Sequence, residues 1–395
     1  MKACMVAYTF YERDNRVRRY AETLARRGDS VDVVSLRSEG QAAEEVVING
    51  VRVYRIQCRV ADEKNKLEYL SRLLLFFVRS MYFVTRKQIK ESYDIIHIHS
   101  VPDFEVFAAW YPKIAGSKII LDIHDIVPEF YASKFKSSQK SVTFKLLVAM
   151  ERMSAAFSDH VVVANHIWEK RLRERSVKGT KCTTILNYPD THLFHKRGRD
   201  RKDNKFIILY PGTINYHQGL DIAIRAFSLI KNEIPEAEFH IYGSGDQFNS
   251  LRSLIDELGL QHRVYLKGSV AIDQMASVIE NADLGVVPKR STGFGNEAFS
   301  TKILEFMSMG VPVIVPDTAI DQYYFNDSVA TFFHANDARS LADAIVLLFE
   351  NPELRRKVAL NASEFVKKYT WDVNESIYLD LVSSLLHGRN GHKHS

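Results

Sequence analysis

Two acids, Glu297 and Glu305, stand with seven residues between them in the stretch from Pro288 to Asp317, PKRSTGFGNEAFSTKILEFMSMGVPVIVPD. Carboxylates accept hydrogen bonds from hydroxyls, and Lys302 between the two acids carries the opposite charge. The stretch therefore suits a molecule with hydroxyls and phosphates together, as in a sugar nucleotide. The element that must hold these groups is legible beside them. Ser300 is a candidate N-cap, and the apolar positions Ile303, Leu304, Phe306 and Met307 predict a helix over Thr301 to Met309, ended by Gly310 and Pro312. Glu297 then lies in the loop before the helix and Glu305 on its second turn. A helix start presents unpaired N–H groups and partial positive charge, which suits a phosphate. The competing interpretation is a solvated loop Glu and a helix-surface Glu paired with a Lys.

His124 follows a predicted strand, Lys118 to Ile123, in LDIHDIVPEFY. The carboxyl ends of strands in an α/β sheet border the ligand crevice, so a histidine there is a candidate site group. Asp125 and Glu129 follow it as weaker candidates for binding a second substrate, the acceptor. His97 and His99 in YDIIHIHS share one face of another strand. As a metal pair they lack a third ligand of suitable spacing, so they read as core or supporting groups.

The pattern acid-x7-acid running into GVPVIVPD resembles the signature of retaining glycosyltransferases of family 4, which have the two-domain GT-B fold. The resemblance covers nearly the whole chain. It implies an α/β protein of two Rossmann-like domains facing a central cleft, with a C-terminal helix crossing back to the N-terminal domain. It also implies that Glu297 contacts the transferred sugar, that Glu305 contacts the ribose, and that His124 lies against the donor sugar. No metal and no other cofactor is expected. The reaction implied is transfer of a hexose-type sugar from a nucleotide-diphosphate donor to a hydroxyl acceptor. Alternatives are a nucleotide-sugar epimerase of the same architecture and a non-catalytic nucleotide-sugar-binding protein.

Two departures from the family pattern bear on the donor site. Many relatives place an Arg and a Lys on the diphosphate from the loop after the first strand of the second domain, in a pattern G-R-x…K-G. This chain has Gly212-Thr213 and Gln218-Gly219 there. Uncompensated phosphate charge in a closed site is costly, so Lys302, then Arg290 and Lys289, are the expected replacements. Gly212, Gly243 and Gly245 follow strands and are expected to bring backbone N–H groups to the donor. The first loop of the chain, YTFYERDNR, contains no glycine, against the commoner family pattern and against a dinucleotide fingerprint. Arg16, Arg18 and Arg19 beside it could supply cations, with a solvated basic helix face as the bland reading for at least two of them.

A chain of 395 residues accommodates two ordinary domains. A formal charge of +5 is mild and does not indicate a nucleic-acid partner, while three scattered cysteines fit a reducing compartment and offer no zinc spacing. Alternating strand and helix patterns predict residues 1–187 as the acceptor domain, completed by a helix over 370–387. Residues 188–205 read as a polar linker, 206–369 as the nucleotide-sugar domain, and 388–395 as a disordered tail. No run approaches the ~18 apolar residues of a membrane span. Two basic segments with bulky apolar residues, Lys64 to Lys90 and Ala132 to Met150, suggest docking on anionic lipid headgroups. The expected setting is cytoplasmic, peripheral on the inner face of the membrane. A lipid-linked or oligosaccharide acceptor, as in surface polysaccharide assembly, accompanies that reading.

Overall fold

A computed structural model describes residues 1–38, 44–59, 66–135, 137–196, 198–199 and 201–390. The chain forms two compact units, one of Met1–Asn187 with Glu375–Ser395 and one of Tyr188–Asn374. Lys64, Lys136 and tail residues 391–395 lie outside the described residues.

Unit 1 opens with β1 (Lys2–Ala7), α1 (Asn15–Arg26) and β2 (Ser30–Arg37), a right-handed crossover whose strand core is wholly apolar apart from Asp32 and Ser35. A hairpin of β3 (Glu45–Ile48) and β4 (Val51–Cys58) follows, turning at Asn49-Gly50, both with positive φ. Then come α2 (Lys66–Glu91), β5 (Ile95–Ser100), a 3-10 segment Asp103–Ala109, α3 (Trp110–Ile114) and β6 (Lys118–Ile123). The basic segment Ala132 to Met150 is broken into α4 (Val127–Lys134) and α5 (Val142–Phe157), the latter capped by the Ser141 hydroxyl. β7 (His160–Val163), α6 (His166–Arg175) and β8 (Cys182–Thr184) complete the sheet, in the order β3-β4-β2-β1-β5-β6-β7-β8. Only the β3–β4 pair is antiparallel.

Unit 2 runs β9 (Phe206–Pro211), α7 (Leu220–Ile230), β10 (Ala237–Tyr242), α8 (Phe248–Glu257) and β11 (Val264–Gly268). It continues through α9 (Ile272–Glu280), β12 (Leu284–Val286), α10 (Thr301–Ser308), β13 (Val313–Pro316), α11 (Ala319–Tyr324) and β14 (Thr331–Phe333). The helices α12 (Ala338–Glu350) and α13 (Pro352–Val366) close it. Its sheet is all parallel, ordered β11-β10-β9-β12-β13-β14, over a core of Ile208, Tyr210, Phe227, Phe239, Ile241 and Leu341. The strand order reverses between β9 and β12, and ligand crevices form at the carboxyl ends beside such a reversal. The last helix, α14 (Trp371–Asn390), starts in unit 2 and belongs to unit 1 from Glu375 onward. It reaches Asn390, three residues into the stretch expected to be a disordered tail.

Candidate active-site residues

The loops after β9 and β12 in unit 2 carry most of the expected donor residues. Gly212 has φ of +137°, and a Cβ built on it would lie 2.0 Å from Lys302 Cε, so the lysine stem occupies the space a side chain would fill. The Lys302 ammonium stands 5.6 Å from the Tyr210 ring centre and has no carboxylate at ion-pair distance among the described residues. Burial pulls its pKa below the usual lysine value, opposed by the Glu305 charge and reinforced by Lys289. Burial likewise pushes the half-buried Glu305 carboxyl up, and the Lys302 charge and Thr301 hydroxyl pull it back. Thus the acid and base one helical turn apart are both partly stripped of water. Glu297 ends a 3-10 turn, Gly293–Asn296, and its N–H donates to the Phe294 carbonyl at 3.2 Å. Ser300 does occupy the cap position of α10, but its side chain accepts nothing and its Oγ is buried without a partner.

The other two cations expected on the diphosphate are engaged elsewhere. Lys289 is 3% exposed, paired with the buried Asp321 at 2.9 Å and donating to the Ala298 carbonyl at 2.8 Å. A buried ammonium without its acid would be strongly destabilised, so Lys289 holds the loop to α11. Arg290 forks onto both Asp221 oxygens at 2.8 and 2.7 Å and lies 4.2 Å over the Tyr216 ring, which fixes the turn Tyr216–Gln218. Gln218 faces His217 at 3.0 Å, and exposed Thr213 accepts from the Tyr210 hydroxyl through its carbonyl.

The glycines also do something other than expected. The Gly212 N–H donates to the Tyr242 carbonyl at 2.8 Å and the Gly243 N–H to the Gly268 carbonyl at 2.7 Å, so neither is left for a phosphate. Their lack of a side chain serves loop-on-loop contact. A Cβ at Gly243 would lie 1.7 Å from the Gly212 oxygen, one at Gly219 2.1 Å from the Pro288 oxygen, and one at Gly245 2.3 Å from the Ile214 oxygen.

In unit 1, β5 and β6 pair so that His99 stands beside Asp122. Strand alternation puts Asp122 and His124 on the same face. Asp122 is fully buried and receives Arg16 as a fork, Nη2 to Oδ1 at 2.7 Å and Nε to Oδ2 at 2.8 Å. Its Oδ2 is also 3.1 Å from His124 Nε2 and 3.2 Å from His99 Nδ1. Burial alone would raise this carboxyl, yet the Arg16 charge and the imidazoles hold it well below the usual carboxylate range. His97 and His99 are buried and stacked 4.2 Å apart, and burial lowers the pKa of both.

Sequence spacing offered no third ligand for these histidines, whereas the fold brings Asp122 to them, with ligand-type atoms all within 4.8 Å. Arg16 nevertheless occupies both Asp122 oxygens, so a guanidinium already supplies the positive charge that an ion would bring. Arg16 is therefore a buried structural partner and not a solvated helix cation. Arg19 reaches Asn187 Oδ1 at 2.7 Å and Arg18 pairs with Glu22. Asp125 is half-buried and raised by burial, eased by the His124 and Arg16 charges. Glu129, expected on the acceptor side, is buried under Arg171 at 2.9 Å and Arg175, which also binds Glu151. Asp122 is the group that the sequence motifs do not single out, and Arg16 is named there only as a candidate cation beside the first loop; the signal available was one acid in the apolar strand KIILDI.

The family model for glycosyl transferases group 1 matches residues 193–365, and that for the glycosyl transferase 4-like domain matches residues 14–187. Along the sequence the chain is similar to an uncharacterized glycosyltransferase of Methanocaldococcus jannaschii, 25% identical over 89% of each chain. It is also similar to a phosphatidyl-myo-inositol mannosyltransferase of Mycobacterium leprae, 22% identical over 91% of this chain and 89% of that one. In structure it resembles sucrose-phosphate synthase from Thermosynechococcus elongatus, with a TM-score of 0.81, 19% identity, and coverage of 97% and 100%. Anabaena HepE, solved in complex with UDP-glucose, gives a TM-score of 0.72 at 15% identity over 97% and 100%. With one model on each unit and the same architecture in its structural neighbours, the chain belongs to the group 1 glycosyltransferases and has their GT-B fold.

Proposed function

We propose that this glycosyltransferase uses a nucleotide-diphosphate sugar, transfers the sugar with retention, and needs no metal. One observation carries the donor reading: of the three cations near α10, Lys289 and Arg290 are held by Asp321 and Asp221, while Lys302 has no acid at ion-pair distance among the described residues. A desolvated ammonium at a helix start, beside the reversal point of the sheet, is the group best able to meet the diphosphate. Glu305 is then assigned to the ribose hydroxyls and Glu297 to the transferred sugar, and within unit 1 His124 is the candidate donor-sugar contact. Positioning and electrostatic stabilisation of the departing diphosphate supply the catalysis. Relatives whose names include a mannosyltransferase and a neighbour solved with UDP-glucose support this class of donor.

The acceptor is proposed to be lipid-linked and reached at an anionic membrane surface, in surface polysaccharide or glycoconjugate synthesis. Among the described residues, no helix is long and apolar enough to cross a membrane. However, α2 exposes Leu70, Leu74, Val78, Tyr82 and Ile89 along one face together with Arg79, Arg86 and Lys90, and the exposed Glu68 side chain is paired with Arg72. That composition suits an interfacial helix.

A thermal-shift screen of nucleoside diphosphates and their sugars, followed by product analysis by mass spectrometry, tests the donor reading. At least one nucleoside diphosphate should raise the melting point. If all of them leave it unmoved, the donor assignment fails.

A further inference from the structure

We propose that Asp122 is the positioning residue of His124: it holds the imidazole in its Nε2–H form and leaves Nδ1 as the nitrogen offered to substrate. The catalytic consequence rests on the reading of His124 as a donor-sugar contact; the protonation pattern itself does not.

A neutral imidazole has one N–H and one lone pair, so every short contact to a ring nitrogen must be assigned to one or the other. His99 Nε2 is buried with no hydrogen-bond partner. An orphaned buried N–H is rarer and more costly than an unused lone pair, so His99 carries its proton on Nδ1, which points at Asp122 Oδ2 from 3.2 Å. His97 follows the same rule, with Nε2 unpartnered and Nδ1 3.1 Å from the Tyr378 hydroxyl. His124 Nε2 lies 3.1 Å from the same Asp122 oxygen and 3.2 Å from His99 Nδ1; with a proton on each nitrogen the two rings do not hydrogen-bond each other, and both N–H groups converge on Asp122 Oδ2. A bare Nε2 would set a lone pair against an anionic oxygen, whereas Nε2–H makes a charge-assisted hydrogen bond to it.

Arg16 makes this assignment durable. Its fork supplies a fixed cation that keeps Asp122 ionised, and its remaining nitrogen Nη1 donates to the Ile185 carbonyl at 2.8 Å, so the guanidinium cannot swing away cheaply. Four side chains from α1, β5, β6 and the residue after β6 therefore fix one ring tautomer. His124 Nδ1 then accepts a hydrogen bond, and a sugar hydroxyl is the donor it would select.

The test is long-range proton–nitrogen NMR on the full chain labelled at histidine nitrogens, with His124 assigned by its loss in His124→Gln. At a pH where the ring is neutral, the expected spectrum has a protonated Nε2 and a bare Nδ1; the opposite pattern in the wild-type protein overturns the proposal. Asp122→Asn should mix the tautomers and lower kcat on the order of 10- to 100-fold with KM little changed, as for other outer carboxylates that orient a histidine. Because that variant leaves Arg16 buried without its acid, Arg16→Met/Asp122→Asn provides a second, charge-neutral form. An unchanged tautomer and unchanged kcat in a folded variant would overturn the positioning role. Full activity of His124→Ala would refute the donor-contact reading, and it is told apart from the spectrum, which reports the Asp122 contact alone.

Discussion

Lys302 fills the place that a side chain at position 212 would need, and its ammonium has no acid of its own at ion-pair distance among the described residues. If it meets the diphosphate, Lys302→Ala removes a charged hydrogen bond of about 1.5–3 kcal/mol, roughly tenfold to a hundredfold in donor affinity. Calorimetric titration with the nucleoside diphosphate should show a larger loss for Lys302→Ala than for Glu297→Ala, and the reverse order would reassign the diphosphate. Gly243 makes a second prediction at this scale. With φ of +144° and the Gly212 oxygen 1.7 Å from a built Cβ, Gly243→Ala must strain the backbone and separate two loops. Urea unfolding should show a loss of at least about 1–3 kcal/mol. The residues named from spacing, such as Glu305 and Lys302, sit within one helical turn, where a sequence pattern is also a distance. Arg16 and Asp122 are 106 positions apart, and only the pairing of β1, β5 and β6 brings them together, so no local pattern could announce their ion pair. Lys289 and Arg290 misled for the same reason: their acids, Asp321 and Asp221, are 32 and 69 positions away.

The 3-10 segment Asp103–Ala109 carries two acids, Asp103 and Glu105, that no sequence motif singles out. Burial pushes Glu105 from 4.5 to about 8, against the smaller opposing pull of the Ser80 hydroxyl. Burial also pushes Asp103 up to about 7, against a hydrogen bond from Ser100. The folded chain thus keeps protons that the unfolded chain has already lost, so stability falls as pH rises from about 4.5 to about 8. Glu105→Gln should flatten that slope in urea titrations and exceed the wild type near pH 8; an unaltered slope would show that Glu105 ionises normally. The segment packs on α2, whose outer face makes a separate prediction. Replacing Leu74 and Val78 by Glu should abolish co-sedimentation with anionic vesicles while leaving the melting temperature within a few degrees, since both side chains are already exposed. Equal sedimentation of wild type and variant would end the membrane reading. The helical period of α2 was plain in the sequence, but its exposed apolar side was not, because apolar residues flank the charged stripe of Glu68, Arg72, Arg79, Arg86 and Lys90 on both sides and only packing chooses between the flanks.

For the whole molecule, the alternation of strands and helices made a two-part α/β chain legible, since each parallel crossover leaves its own hydrophobic signature. What it could not give was the packing of loops on loops, where Gly212, Gly219, Gly243 and Gly245 spend their freedom on one another's neighbours instead of on a ligand. That distinction shapes the last prediction. Unit 2 has its own sheet and core, and both α10 with Lys302 and Glu305 and the loop with Thr213 belong to it. A nucleoside diphosphate without its sugar should therefore be held by unit 2 alone. Hydrogen exchange on the intact chain should slow in residues 211–219 and 297–305 when the diphosphate is added. The Asp122 cluster of unit 1 should keep its rate until a sugar is attached for His124 to bind. At a hundredfold excess over Kd the ligand adds about 2.7 kcal/mol to the stability of the state that binds it, enough to read as a change in exchange over those loops. Protection that appears first around His124, or that spreads evenly through both sheets, would mean that the diphosphate is not carried by α10 and the loop after β9.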